Sequence, residues 1–112
     1  MSADRAHLTM KLRTFELTRM RAAGDKAASL MRTLANEDRL ALLCQLAQGE
    51  LCVSELAEKT FVVQPTLSQQ LSVLREQGVV ATRREGKRIF YSISDPKAFA
   101  VLRTLYDLYG AK

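Results

Sequence analysis

The segment QPTLSQQLSVLREQG, residues 64–78, decides how this chain of 112 residues folds. Leu67, Leu71 and Leu74 recur at steps of four and three residues, which predicts a helix with one buried stripe. The residues around that stripe are short amides and hydroxyls, where an ordinary solvated helix carries Glu and Lys; they are Gln64, Thr66, Ser68, Gln69 and Ser72. Such side chains near the start of a helix can hydrogen-bond base edges in the major groove of DNA. We therefore expect this helix to contact nucleic acid.

The residues before and after this helix define its limits. Pro65 suits the first helical position, where a missing N–H costs nothing, and Gly78 suits the position just past the end. A shorter helix is expected before it, with Cys52 near its N-terminus and a turn over residues 60–63. Residues 53–77 therefore have the pattern of a helix-turn-helix, with Gln70 facing the protein.

A β-rich region follows Gly78. The runs VVATRR and KRIFYSI are separated by Glu85 and Gly86, which predicts a two-stranded hairpin over residues 79–93. Four basic residues cluster towards its tip, and they are Arg83, Arg84, Lys87 and Arg88. Several cations on one hairpin tip would hold the phosphates of a duplex.

Three further helices complete the pattern. A long first helix is expected over residues 12–34, after a loose tail of residues 1–11 that contains the sole histidine, His7. Asn36 can cap a second helix, whose expected inward face consists of Leu40, Leu43, Cys44 and Leu46. Asp95 and Pro96 can begin a last helix over residues 96–109. The chain is thus predicted to be one domain, residues 1–112, mainly α with a small β-hairpin: a winged helix-turn-helix of four helices, a hairpin and a fifth helix.

Composition restricts the partners. A hydrophobic content of 47% with 26% charged residues is typical of a globular fold. The net charge of +5 favours a polyanionic partner such as nucleic acid. No apolar run approaches the ~20 residues that a membrane span requires, and the N-terminus MSADRAHLTMK lacks the apolar core of a signal peptide, so we expect a cytoplasmic protein without a membrane partner.

From residue 34 to 93, and more loosely to 109, the chain resembles the ArsR/SmtB family of small dimeric bacterial repressors. The stretches that carry the resemblance are LANEDRLALLCQL, GELCVSELAEKT, QPTLSQQLSVLREQGVV and TRREGKRIFYSIS. The resemblance implies a homodimer, joined through helices 12–34 and 96–109, that binds double-stranded DNA at an inverted repeat. It places Gln64, Thr66, Ser68 and Gln69 in the major groove. Arg83, Arg84, Lys87 and Arg88 would then contact phosphate.

The family couples DNA release to metals or to sulfur chemistry, and this chain departs from its metal sites. The segment ELCVSEL resembles the thiolate motif ELCVCDL, but Ser54 replaces the second thiol, and a hydroxyl cannot substitute for a thiolate towards soft metals. The last helix, which carries Asp and His zinc ligands in other members, contains only Asp107. We therefore expect no metal site and no cofactor.

Two cysteines remain as candidate sensors, Cys44 and Cys52. Cys44 matches the first of two cysteines in a sulfide- and oxidant-responsive branch of the family, but Gly110 stands where the second would be. The alternative for Cys44 is a small buried side chain with an inert thiol. Cys52 is the better reactive candidate on chemical grounds, because a helix N-terminus stabilises a thiolate.

The leading interpretation is a sequence-specific repressor that is released by a thiol-directed signal or a metal. The alternative is a winged-helix module that binds RNA or protein without operator specificity. An enzyme is disfavoured, because the only histidine lies 37 residues before Cys44 and no phosphate loop or carboxylate pair is present.

Overall fold

The computed structural model describes residues 8–9 and 17–110 of the chain. The elements in chain order are α1 (Leu17–Leu34), α2 (Glu37–Leu46), β1 (Leu51–Cys52), α3 (Val53–Thr60), α4 (Thr66–Glu76), β2 (Val80–Glu85), β3 (Arg88–Ile93) and α5 (Pro96–Leu105), with a π-helical turn over Tyr106–Gly110. This order confirms the predicted winged helix-turn-helix. His7 and residues 12–16 of the predicted first helix lie outside the described residues.

The predicted helix ends are formed by the expected groups. Asn36 Oδ1 accepts a hydrogen bond from Arg39 N at 3.0 Å, and Asp95 Oδ1 accepts one from Lys97 N at 2.9 Å. Gly78 has φ +75 just past α4, a left-handed backbone that glycine adopts without strain. Pro65 is the N-cap of α4 and not its first helical residue, since its carbonyl accepts the bond from Gln69 N at 3.1 Å.

Strands β2 and β3 form the predicted hairpin, and β1 adds a third antiparallel strand that the sequence did not predict, in the order β1-β3-β2. Leu51 pairs with Tyr91, and Cys52 pairs with Phe90. A strand of two residues is too short to produce a periodic pattern, so the sequence did not reveal it. Because β1 leads directly into α3, this pairing joins the wing to the helix-turn-helix.

The core lies between the helix-turn-helix, α2 and the sheet. Its most deeply buried large side chains are Leu42, Leu43, Leu56, Leu67, Leu71, Leu74 and Val79. The buried face of α2 consists of Leu42, Leu43 and Leu46, so the prediction that Cys44 points inward is wrong: its side chain is exposed. Successive helical residues are rotated by about 100°, which carries Cys44 past Leu43 and out of the buried arc.

The C-terminal segment differs from the predicted helix over residues 96–109. Regular α-helix ends at Leu105, and the chain continues as the π-helical turn. Ala98 and Leu102 are buried, whereas Tyr106, Leu108 and Tyr109 are exposed. Within residues 17–110 no helix is both long and apolar enough to cross a membrane.

Candidate nucleic-acid interface

Helix α4 turns its leucine stripe into the core and its polar residues outward. Leu67, Leu71 and Leu74 are at most 2% exposed. On the other faces Ser68, Gln69 and Ser72 are exposed and Thr66 is half-buried. The Gln69 side chain makes no hydrogen bond to any residue in the described ranges. Its exposed amide therefore has no partner among these residues, and its predicted contact with DNA stays a prediction.

Gln64 has a different arrangement. Its Oε1 accepts hydrogen bonds from Ser68 N at 3.1 Å and from Ser68 Oγ at 2.8 Å. The reason lies at the N-cap, because Pro65 has no side-chain acceptor and the preceding glutamine supplies one. Gln64 and Ser68 thus form one unit at the start of α4. Sequence reasoning treated them as independent base-reading groups.

Gln70 faces the protein, as predicted. Its Oε1 accepts a hydrogen bond from Arg39 Nη1 at 2.8 Å. The same guanidinium donates from Nε to the carbonyl of Thr33 and from Nη2 to the carbonyl of Arg32 at 3.1 Å. Arg39 therefore connects the end of α1 and the start of α2 to α4. This role of Arg39 could not be predicted from local sequence, because Arg39 and Gln70 are 31 positions apart.

The wing contains one arginine that is bound within the protein. Arg83 donates from Nε and Nη2 to the two carboxylate oxygens of Glu50, each at 2.7 Å, and from Nη1 to Glu85 Oε1 at 3.3 Å. Its guanidinium also lies 4.7 Å from the centre of the Phe90 ring. The hydrogen bonds from Arg83 lower the pKa of Glu50 and raise the pKa of Arg83 itself. Arg83 thus braces the wing against the segment before β1.

The other three wing cations project more freely. Arg84, Lys87 and Arg88 are exposed at and beside the turn, where Gly86 has φ +63. Arg84 makes one hydrogen bond, from Nε to the carbonyl of Gly86 at 3.3 Å. The expected cationic tip therefore exists, but it consists of these three residues, and Arg83 differs from them in being neutralised by Glu50.

The two cysteines have environments opposite to those expected. Cys52 is the N-cap of α3, as predicted, but it is only 3% exposed, and its Sγ lies 3.3 Å from Ser54 Oγ. Its backbone N–H donates to Glu55 Oε1 at 2.9 Å, a bond that lowers the pKa of Glu55. Cys44 is exposed in a cavity of about 390 Å³ between α2 and α5, which Phe99 and Tyr106 also line. Cys44 is thus the accessible thiol.

No metal-binding cluster is found in the part of the chain that the structure describes. Residues 8–9 and 17–110 contain no group of three or more His, Cys, Asp or Glu side chains close enough to hold an ion. His7, the only histidine, lies outside those residues.

Comparison with known proteins agrees with this geometry. Residues 36–82 match the model of the bacterial regulatory protein arsR family. The biofilm growth-associated repressor of Agrobacterium fabrum is 50% identical over 95 residues, which cover 85% of this chain and 81% of that protein.

Two solved structures extend the likeness to the fold. The transcriptional repressor BigR of Xylella fastidiosa has a TM-score of 0.80 and 42% identity, over 88% of this chain and 100% of that chain. A homodimeric winged helix-turn-helix domain from Mycobacterium bovis has a TM-score of 0.71 and 31% identity, over 88% of this chain and 91% of that chain. The relatives are transcriptional regulators and not enzymes, in line with the sequence-based expectation. The chain belongs to the ArsR/SmtB family of winged helix-turn-helix, DNA-binding transcriptional regulators.

Proposed function

We propose that this protein is a sequence-specific repressor that binds an inverted-repeat operator as a homodimer in the cytosol. The observation that carries the proposal is the first part of α4, residues 66–72, which contains no charged residue and exposes Ser68, Gln69 and Ser72, although the chain has a net charge of +5. A helix that needed only solubility would carry charges there. The family relatives that are named as repressors support the same function.

The two exposed polar regions divide the work of binding. On α4, Gln69 presents a free amide that can pair with an adenine edge, while Thr66 and the Gln64–Ser68 unit contribute further donors and acceptors. On the wing, Arg84, Lys87 and Arg88 contact phosphate oxygens. Arg83 keeps the wing in position through Glu50 and adds little net charge, because its partner carboxylate cancels it.

The homodimer follows from exposed apolar surface on the first and last helices. Met20 and Met31 of α1 are 53% and 62% exposed, and Leu108 and Tyr109 beyond α5 are 68% and 83% exposed. Phe15, an apolar residue of the first helix predicted over residues 12–34, lies outside the described residues. A second copy that covers this surface would place two α4 helices on half-sites about one helical turn, ~34 Å, apart.

Release from DNA is proposed to begin at Cys44. Its exposed thiol faces the α2–α5 cavity that Phe99, Leu102 and Tyr106 also line, so an adduct there would disturb α5 and hence the proposed dimer. Cys52 is sterically protected by burial.

Treatment of the folded protein with a small alkylating reagent should modify Cys44 much faster than Cys52, as read by peptide mass spectrometry. Cys44→Ser should abolish release by oxidant or persulfide; release that persists in this variant would exclude the thiol route.

Selection from a random DNA library tests the function itself. The protein should enrich a short inverted repeat and bind it at least about 10³-fold more tightly than a scrambled duplex at physiological salt. Equal affinity for all duplexes, or a preference for RNA, would contradict the proposal and favour the interaction-module alternative.

A further inference from the structure

Two large apolar side chains are exposed in the turn between α3 and α4. Phe61 is 86% exposed and Val63 is 67% exposed. Val62, which lies between them, is only 7% exposed and packs in the core. In this turn Val62 therefore contributes to the core, whereas Phe61 and Val63 are exposed.

Neither the backbone nor the core accounts for a phenylalanine at residue 61. Phe61 is the C-cap of α3 and has φ 61 and ψ 13, a left-handed conformation that favours glycine over residues with a Cβ. Its ring gains almost nothing from burial at 86% exposure. The side chain thus stabilises neither the local conformation nor the packing of this protomer.

The backbones of both residues are hydrogen-bonded to the two helices of the helix-turn-helix. The Val63 carbonyl accepts the hydrogen bond from Leu67 N at 2.9 Å, so Val63 is anchored at the start of α4, one residue before Gln64. Phe61 N donates to Ala57 O at 3.0 Å and is anchored to the end of α3. Lys59, an exposed cation in the last turn of α3, precedes Phe61 by two residues.

We infer that Phe61 and Val63 extend the base-reading surface by packing against thymine 5-methyl groups in the major groove; the inference rests on the proposed function. The thymine methyl is the apolar group that the major groove presents, and aromatic and small apolar side chains recognise it. A duplex also supplies phosphate for Lys59, the exposed cation two residues before Phe61. The alternative is that this surface contacts a second copy of the chain, but such a contact would not require a position next to Gln64. The oligomeric state of variants distinguishes the two.

Two variants and one modified base test the inference. Phe61→Gly suits the left-handed backbone, and Val63→Ser alters an exposed position, so melting temperatures should show that both variants fold. The selected operator is then scanned by replacing each thymine with deoxyuridine, which removes only the 5-methyl group. Thymines outside the bound region provide the internal control, and analytical ultracentrifugation records the oligomeric state.

We expect deoxyuridine at one or two positions per half-site to weaken wild-type binding about fourfold each, the value of one buried methyl group. The same replacement should have no effect on Phe61→Gly or Val63→Ser at the position that each side chain contacts. Selective binding without any sensitivity to deoxyuridine, or equal sensitivity in the variants, would overturn the inference and leave the proposed repressor intact. If no DNA site can be selected, both the inference and the proposed repressor function are contradicted. A change in oligomeric state in the variants would assign the surface to protein contact and would also overturn it.

Discussion

The outer face of α4 and the tip of the wing are both proposed to bind DNA, and they differ in charge. The α4 face presents neutral amides and hydroxyls, whereas the tip presents Arg84, Lys87 and Arg88. Amides and hydroxyls can hydrogen-bond base edges, which differ between bases, while cations that contact phosphates carry no sequence information directly. Under the proposed function, sequence choice and affinity therefore belong to separate elements of this small fold.

On each surface, one residue that was predicted to contact DNA is hydrogen-bonded within the protein instead. Gln64 is bound by Ser68, while Gln69 is free. Arg83 is bound by Glu50, while Arg84 makes only one long hydrogen bond within the wing. Residues of the same type therefore have different roles, and each pair provides its own matched control.

The largest expected effect is that of Gln69→Ala. Loss of a bidentate amide contact should weaken operator binding by about 1–3 kcal/mol and leave random DNA unaffected. Fluorescence anisotropy with both duplexes measures this. Gln64→Ala is the comparison variant. It should lower the melting temperature, because it removes the side chain that caps α4. A uniform loss of binding to both duplexes in Gln69→Ala would deny that residue a base-reading role.

A smaller effect is expected from Arg84→Gln. One phosphate contact fewer should reduce the slope of log affinity against log salt concentration by about one and weaken all duplexes alike. Arg83→Gln should change the slope less, because Glu50 already neutralises that guanidinium. Titrations at several salt concentrations compare the two variants. Equal slopes in both would show that the Glu50 pair opens when DNA binds.

The smallest effect concerns the brace of the wing and depends on pH. Arg83 lowers the pKa of Glu50 from its ordinary 4.5, so the pair stabilises the folded state above that pH and ceases to do so as Glu50 is protonated below it. Glu50→Gln should therefore lower the melting temperature slightly at neutral pH, and the difference from wild type should shrink in the acidic range. A difference that is constant with pH would mean that the ion pair contributes nothing.

Local features of the fold could be predicted from the sequence, and long-range contacts could not. The leucine spacing of α4 and the ends marked by Asn36, Asp95 and Gly78 are encoded by neighbouring residues. The Arg83–Glu50 pair joins residues 33 positions apart, and no periodic pattern in the sequence predicts it. The two-residue strand β1 is hidden for the same reason.

The cysteines illustrate a second limit of sequence reasoning. Cys44 and its neighbours Leu42 and Leu43 form an apolar run, which made burial of Cys44 the natural expectation. Which arc of α2 is buried depends on where α4 and the sheet pack, and that arrangement leaves Cys44 outside. Similarly, a helix N-terminus made Cys52 attractive as a reactive thiol, but pairing of β1 with β3 buries it.

The claim that the exposed face of α4 reads base edges can be tested with operators in which single purines are replaced by their 7-deaza analogues. Each replacement removes only the N7 acceptor that an amide would contact in the major groove. For the wild-type protein, binding should be sensitive to replacement of one purine in each half-site, and this sensitivity should disappear in Gln69→Ala. Sensitivity at no purine, or an identical profile in the variant, would contradict the assignment of base reading to the exposed face of α4.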